Sequence, residues 1–263
     1  MTRLIVRTAL TIILSAAAWG QTPTPQTSSP PPNPSARLQF TPEQIEGFRK
    51  EAEERRRNDW AWLARYREAN AKLGAPATDE DRVVFIGDSI TDAWPRNPEL
   101  FFPGKSYIGR GISGQTTPQM LLRFQQDVVA LKPNVVVINA GTNDIAGNTG
   151  PSTLEMIADN LKSMSQIAAA NGIKVVLASV TPAYDYPWRR GLEPAEKIVA
   201  LNEWMKSYCI QQSCIYCDYF TAFADEKHAM KEEFSSDGVH PNNAGFAIMQ
   251  PIAEKAIAQA LAK

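Results

Sequence analysis

From Asp81 onward the chain changes rhythm, and no other feature constrains its fold as tightly. Four short apolar runs, "RVVFIG" at 82–87, "NVVVINAG" at 134–141, "IKVVLASV" at 173–180 and "CIYCDYF" at 214–220, alternate with longer mixed segments. The segments Thr117 to Leu131, Pro151 to Asn171, Pro194 to Gln211 and Asn243 to Ala262 carry helical spacing. A further strand is expected near Ser106 to Gly109, where "KSYIGRGISG" passes from a short apolar stretch into glycines. Strands that are apolar on both faces and separated by helices predict a parallel sheet covered on two sides, an α/β three-layer sandwich.

Such sheets hold ligands beyond the carboxyl ends of their strands. Residues with usable chemistry gather at those ends. Ser89 follows "VVFIG", Gly111 and Gly114 follow "YIG", and Asn143 and Asp144 follow "VVVINAG". A late loop, "SSDGVHPN" at 235–242, precedes the final helix.

Ser89 alone admits two readings, because serine and aspartate also cap helices. Catalysis requires a base, an acid to orient it, and donors for a developing oxyanion. The chain has 2 histidines. His228, in "DEKHAMKEE", sits in a charged segment that is expected to be exposed. His240 follows Asp237 by three residues in a loop before a helix, a spacing that lets the carboxylate fix the imidazole tautomer while the other ring nitrogen faces a nucleophile. For the donors, the backbone N–H of Ser89, a glycine N–H and the side-chain amide of Asn143 are candidates. Gly111 and Gly114 compete for the glycine position, and spacing does not choose between them.

"GDS" at 87–89, "GISGQTT" at 111–117, "GTND" at 141–144 and "DGVHP" at 237–241, in that order, resemble the blocks of the SGNH hydrolase family, also called GDSL esterases and lipases. The resemblance covers roughly Arg82 to Ala262. Within the family, "RGISGQTT" and "GTNDI" are most similar to the bacterial acylhydrolases related to platelet-activating-factor acetylhydrolase. It implies a five-stranded parallel sheet of flavodoxin-like order between helices. It also implies Ser89 as nucleophile, Asp237 and His240 as acid and base, and an oxyanion hole of Ser89, Gly114 and Asn143. An α/β-hydrolase elbow would instead read Gly-x-Ser-x-Gly, but Thr91 stands where its second glycine would be.

The substrate is less constrained. Asp88 and Trp94, either side of the serine, and Tyr184, Trp188 and Arg189 in "TPAYDYPWRRG" at 181–191 are candidate substrate contacts; capping is the alternative for Asp88, packing for Trp94, and a pinned surface loop for Tyr184, Trp188 and Arg189. No segment reads as a lid for long acyl chains, so short acyl groups, acetyl above all, are expected. A lysophospholipase-type lipid acylhydrolase, a transferase of acyl groups and an inactive carbohydrate-binding module on the same fold are the alternatives. No cofactor and no metal are expected for this chemistry.

Ahead of the catalytic domain, expected at 75–263, three segments stand apart. Residues 1–20 have Arg3 and Arg7 before an apolar run and then small residues, the pattern of a signal peptide cleaved after Gly20. Export to the periplasm or beyond follows, with no stable membrane anchor after cleavage. Residues 21–40 form a linker rich in Pro, Ser and Thr, too poor in apolar side chains to offset ordering entropy. Residues 41–74 read as a helical extension that opens on Thr41 and Pro42 and docks through Ile45, Phe48, Trp60, Leu63, Tyr66 and Leu73. A net charge of -1 argues against nucleic acid as the partner and leaves small-molecule or glycan esters open. Of Cys209, Cys214 and Cys217, the first two are the preferred disulfide and the third a free thiol.

Overall fold

The computed structural model describes residues 42–263. The expected signal peptide (1–20), the linker (21–40) and the Thr41 cap lie outside the described residues, as do the side chains of Ile45 and Phe48. In chain order the elements are α1 (Pro42–Asn58), α2 (Arg67–Lys72), β1 (Val83–Gly87), α3 (Ser89–Ala93), β2 (Tyr107–Gly111), α4 (Thr117–Asp127) and β3 (Val135–Asn139). There follow α5 (Thr142–Ile145), α6 (Leu154–Ala170), β4 (Lys174–Ala178), α7 (Ala195–Gln212), β5 (Ile215–Cys217), α8 (Phe220–Phe223) and α9 (Asn243–Leu261). A compact unit spans Gly47–Lys263.

The five strands form one sheet in the order β2-β1-β3-β4-β5, every pair parallel. This is the flavodoxin-like order, whose chain reversal at β1/β3 opens a crevice at the strand ends. Alternation along each strand builds two cores. Val84, Ile86, Val136, Ile138 and Leu177 face Met120 and Phe124 of α4, Leu161 of α6 and Leu201 of α7. Val83, Phe85, Val135, Val137 and Val176 face the other way, onto Phe246, Met249 and Ile257 of α9. The strands are buried on both faces, so their sequences read as continuous apolar runs rather than as alternating patterns.

Helix α4 stops at Asp127, short of the expected Leu131, and a brief 3₁₀ turn, Val129–Leu131, completes the segment. Cys209 and Cys214 form a disulfide across the turn from α7 into β5. Cys217 is free and buried, and desolvation pushes its thiol up to about 12, which makes it unreactive.

The segment before β1 differs from its expectation. It is two helices rather than one, broken at 59–66, and what fixes the break is mostly polar. Asp59 accepts hydrogen bonds from the Leu63 and Ala64 N–H groups, closing a tight turn. Three glutamines then hold that turn by its carbonyls: Gln119 Nε2 donates to Trp60 O, Gln115 Nε2 to Ala61 O and Gln126 Nε2 to Leu63 O, at 2.7, 2.7 and 2.6 Å. Tyr66 Oη donates to Gly111 O, and Asn70 donates to Asp127. Of the apolar side chains expected to dock, Leu73 packs against the first core, whereas Trp60 is 40% exposed, and Leu63 and Tyr66 are half-buried.

Candidate active site

Strand β1 runs out at Gly87, where a Cβ would lie 2.1 Å from Thr91 Oγ1 and 2.7 Å from Asn139 O. Only glycine permits that approach, which turns the chain sharply into α3 and sets Ser89 at the first helical position. Asp88 is the cap: its Oδ1 accepts from the Ile90 N–H at 3.0 Å. The Asp88 carboxyl is buried, and that desolvation pushes it up to about 6 against the lowering effect of the Ile90 bond and of nearby His240. Capping thus belongs to Asp88, and the Ser89 hydroxyl is left for another partner.

That partner is His240, whose Nε2 lies 2.9 Å from Ser89 Oγ. The other ring nitrogen, Nδ1, is 2.7 Å from Asp237 Oδ2. Since the carboxylate only accepts, Nδ1 carries the proton and Nε2 offers its lone pair to the serine. The loop fixes this arrangement itself. Asp237 Oδ1 accepts from the N–H groups of Val239 and His240 and from the Ser235 hydroxyl, so the carboxylate is locked by the backbone that carries the imidazole. Partial burial works against ionisation of Asp237, but the bonds from the His240 N–H and ring outweigh it and hold the carboxyl at about 2.

The structure separates the two competing glycines. At Gly111 a Cβ would lie 2.1 Å from Asp92 N, so this glycine serves the contact of β2 with α3. Gly114 has φ +79, a conformation that favours glycine, lies exposed, and would bring a Cβ within 4.0 Å of Asn148 Nδ2, an ordinary contact. Asn143 is 2% exposed on α5; its Nδ2 donates to Gln115 O at 3.0 Å and its Oδ1 accepts from Asn148 Nδ2 at 2.8 Å. One amide hydrogen of Asn143 is thereby spent and the other remains to donate. Its neighbour Asp144 turns away and accepts from Thr117 N and Oγ1 at the start of α4; burial pushes its carboxyl up to about 6 despite those bonds.

Sequence reasoning missed Asn148. Its Nδ2 reaches both Asn143 Oδ1 and, at 3.2 Å, Gly114 O, while its Oδ1 accepts from Trp188 Nε1 at 3.2 Å. One amide therefore ties together three segments expected at the site. The available signal was a polar residue between two glycines, in "AGNTG", beyond a strand end.

The expected substrate contacts divide. Trp188 is 44% exposed, and its ring lies 5.9 Å from that of His240. Tyr184 is also exposed. Arg189 donates to Ala146 O and Gly147 O, so it latches the 181–191 loop onto the α5 turn. Trp94 is not at the site mouth: it is 2% exposed, stacks with Phe246 and packs edge-on against Phe85, because its Nε1 finds Leu100 O inside the second core. Asp88 is sealed beneath the serine by its capping role. His228 is half exposed, with Nδ1 3.8 Å from Glu196 and its ring beside Phe220.

A serine at the end of β1 facing an imidazole, on a parallel sheet of this order, defines a hydrolase-like site on a flavodoxin-like scaffold. The family model of the GDSL-like Lipase/Acylhydrolase family matches residues 85–248, and the chain belongs to that family. A GDSL-like lipase of known structure from Bacteroides thetaiotaomicron is 44% identical, with a TM-score of 0.75, and the match covers 77% of this chain and 100% of that one. Two acetylxylan esterases are more distant relatives. The Geobacillus stearothermophilus protein is 32% identical over a match covering 25% of this chain and 40% of that protein. The one from Xylanibacter ruminicola is 27% identical, covering 70% of this chain and 45% of that protein. The chain thus spans less than half the length of either acetylxylan esterase.

Proposed function

We propose that this chain is an exported carboxylic ester hydrolase that removes short acyl groups, acetyl above all, from carbohydrate or other small esters. The single observation that carries this reading is the unbroken line from Ser89 Oγ through His240 to Asp237, at 2.9 and 2.7 Å. In the proposed reaction His240 Nε2 takes the Ser89 proton as Oγ bonds to the ester carbonyl carbon. The Ser89 and Gly114 N–H groups and the free Asn143 amide hydrogen receive the oxyanion. The carbon–oxygen bond of the alcohol breaks, and His240 returns its proton to the leaving oxygen. Water, deprotonated by His240, then releases the acid from the acyl-serine. Asp237 stays ionised throughout and holds the imidazole in place.

An acetyl ester is favoured because, of the residues tied to Ser89 and Asn143 by hydrogen bonds or ring contact, Gly114, Asn148, His240 and Trp188, only Trp188 offers a large exposed apolar surface. The names of the two acetylxylan esterases point the same way. Export rests on the pattern of residues 1–20, and the disulfide Cys209–Cys214 fits an oxidising compartment. The test is a series of nitrophenyl esters of rising chain length beside acetylated xylan, run with the protein and its Ser89→Ala variant. Acetate should be the best ester, and Ser89→Ala should lose at least about 10³-fold in kcat. Hydrolysis that survives Ser89→Ala, or that rises with chain length, would overturn the proposal.

A further inference from the structure

A cavity of about 250 Å³ adjoins the proposed oxyanion hole, and Gly114 and Asn148 form part of its wall. Much of the rest comes from the extension that precedes the sheet: Arg55, Arg56, Trp60 and Trp62. We infer that this cavity is a binding subsite for a carboxylate-bearing sugar, a uronic acid residue, in the alcohol part of the ester. The inference rests on the esterase reading above and names its substrate class more closely.

The first support is how the two tryptophans are held. The turn at 59–66 is fixed through its backbone, by Asp59 on one side and by Gln115, Gln119 and Gln126 on the other. Each of these bonds is made by a main-chain group, so the indoles are not what anchors the turn. Trp60 stays 40% exposed, and Trp62 takes a left-handed backbone, φ +50, that a bulky residue rarely adopts. Strain of this kind persists only where surroundings impose it, and it marks binding sites more often than cores. A preorganised aromatic face costs a ligand little ordering entropy. The Trp62 ring carries the Arg55 guanidinium, with Arg65 also near it, so the aromatic face left for the C–H face of a pyranose ring is that of Trp60.

The second support is charge. Arg55 places its guanidinium 3.8 Å from the centre of the Trp62 ring. Stacking in this way occupies the face of the guanidinium and leaves its in-plane N–H donors, which suit the two oxygens of a carboxylate. Among the described residues no carboxylate pairs with Arg55 or Arg56, whereas neighbouring Arg57 is paired with Glu53 and Arg65 lies near Asp92. The cavity wall holds two cations and no acid. Ser113 Oγ, whose hydrogen goes to Asp92, and Thr149 Oγ1, paired with Thr116, keep lone pairs that can accept from ring hydroxyls, while Gln119 is occupied by Trp60 O and Thr116.

Position joins these features to the chemistry. Gly114 and Asn148 belong both to the cavity wall and to the network that positions Asn143. A sugar in the cavity is therefore next to an ester presented to Ser89, and selectivity for it acts on the same turnover.

The experiment compares acetylated xylo-oligosaccharides that carry a glucuronic acid branch with neutral ones of equal length and acetylation, separated by charge. The protein should show a kcat/KM about five- to tenfold higher on the acidic set at low salt, and the ratio should fall towards one as ionic strength rises. In the Arg55→Ala/Arg56→Ala variant the ratio should be near one at every salt concentration. Binding of the acidic oligosaccharide to the Ser89→Ala protein, read by tryptophan fluorescence, should weaken by a similar factor when both arginines are removed. A ratio near one for the unaltered protein at low salt, or a salt-sensitive ratio that survives removal of both arginines, would overturn the subsite. Nitrophenyl acetate turnover by the unaltered protein separates the two claims: without it the esterase reading fails, and with it a flat ratio counts against the subsite alone.

Discussion

The two sides of Ser89 are built in opposite ways. On one side, residues 235–240 form a loop that needs little beyond itself: Asp237 is locked by the N–H groups of Val239 and His240, and the base it orients is three residues away. On the other, the proposed oxyanion donors and the residues that hold them are gathered from distant stretches of chain. Gly114 follows β2, Asn143 follows β3, Asn148 closes the same loop, and Trp188 arrives from the loop after β4. Gln115, which accepts from Asn143 through its carbonyl, is in turn engaged by Ala61 of the N-terminal extension. The proposed acid and base are a local motif, and the proposed donors are a tertiary assembly. A change on the first side should remove a function cleanly, while a change on the second should spread.

The largest effect tests the local side. His240→Ala should lower kcat for nitrophenyl acetate by about 10² to 10⁴, the range for a general base, with melting temperature little altered because the side chain is partly exposed. A variant that keeps its rate would show that the 2.9 Å contact with Ser89 is not catalytic. Asn143→Ala comes next, at about 10² to 10³ in kcat. It differs from His240→Ala in its second readout. Removing a buried amide leaves Gln115 O and Asn148 without their partner, so stability should fall by about 1–3 kcal/mol. Chemical denaturation of both variants checks the contrast, which fails if the two lose equal stability.

The same division explains how much could be read from the sequence. The sheet was legible because parallel strands buried on both faces leave uninterrupted apolar runs, and Asp237 with His240 because their partnership is three residues long. Glycine roles were not. Gly111 and Gly114 stand three apart in one block, and only the 2.1 Å approach to Asp92 N at the first and the φ of +79 at the second tell them apart. Trp94 was open between pocket wall and core, since a tryptophan just past a catalytic turn fits both until Phe85, Phe102 and Phe246 are placed around it. Asn148 and the three glutamines were invisible for a common reason: they act through hydrogen bonds to segments from 5 to 63 positions away, which no spacing rule encodes.

Asn148 gives a smaller and more discriminating effect than Asn143. It touches no reacting atom in the proposed mechanism and acts by orienting the Asn143 amide and the Gly114 turn. Asn148→Ala should therefore lower kcat by roughly tenfold with KM for nitrophenyl acetate nearly unchanged. The decisive comparison is a double-mutant cycle. If Asn148 works through Asn143, the double variant should lose no more than Asn143→Ala alone, whereas independent contributions would multiply. Multiplying losses would make the donors a set of separate contacts and break the contrast with the acid and base loop.

The smallest effect concerns pH, and here the two sides carry opposite signs. Asp237, on the local side, is held at about 2, below the ordinary aspartate value of about 3.9. Its contribution to stability is complete above about 4 and is lost as pH falls towards 2. Asp88 and Asp144, buried beneath the serine and the donors, are both raised to about 6. The folded state binds their protons more tightly than the unfolded chain does, so they favour the fold most below about 4 and progressively less as pH rises through 6. Each is worth on the order of 3 kcal/mol at most across that window, a shift of several degrees in a domain of this size. Thermal melts should thus show stability falling from pH 4 to pH 7, and falling again below pH 4. Asp144→Asn keeps an acceptor for Thr117 but cannot titrate, so it should roughly halve the upper slope, leaving the share of Asp88, and leave the lower one in place. An upper slope that is unchanged in this variant would place the titration elsewhere and remove Asp144 from the account.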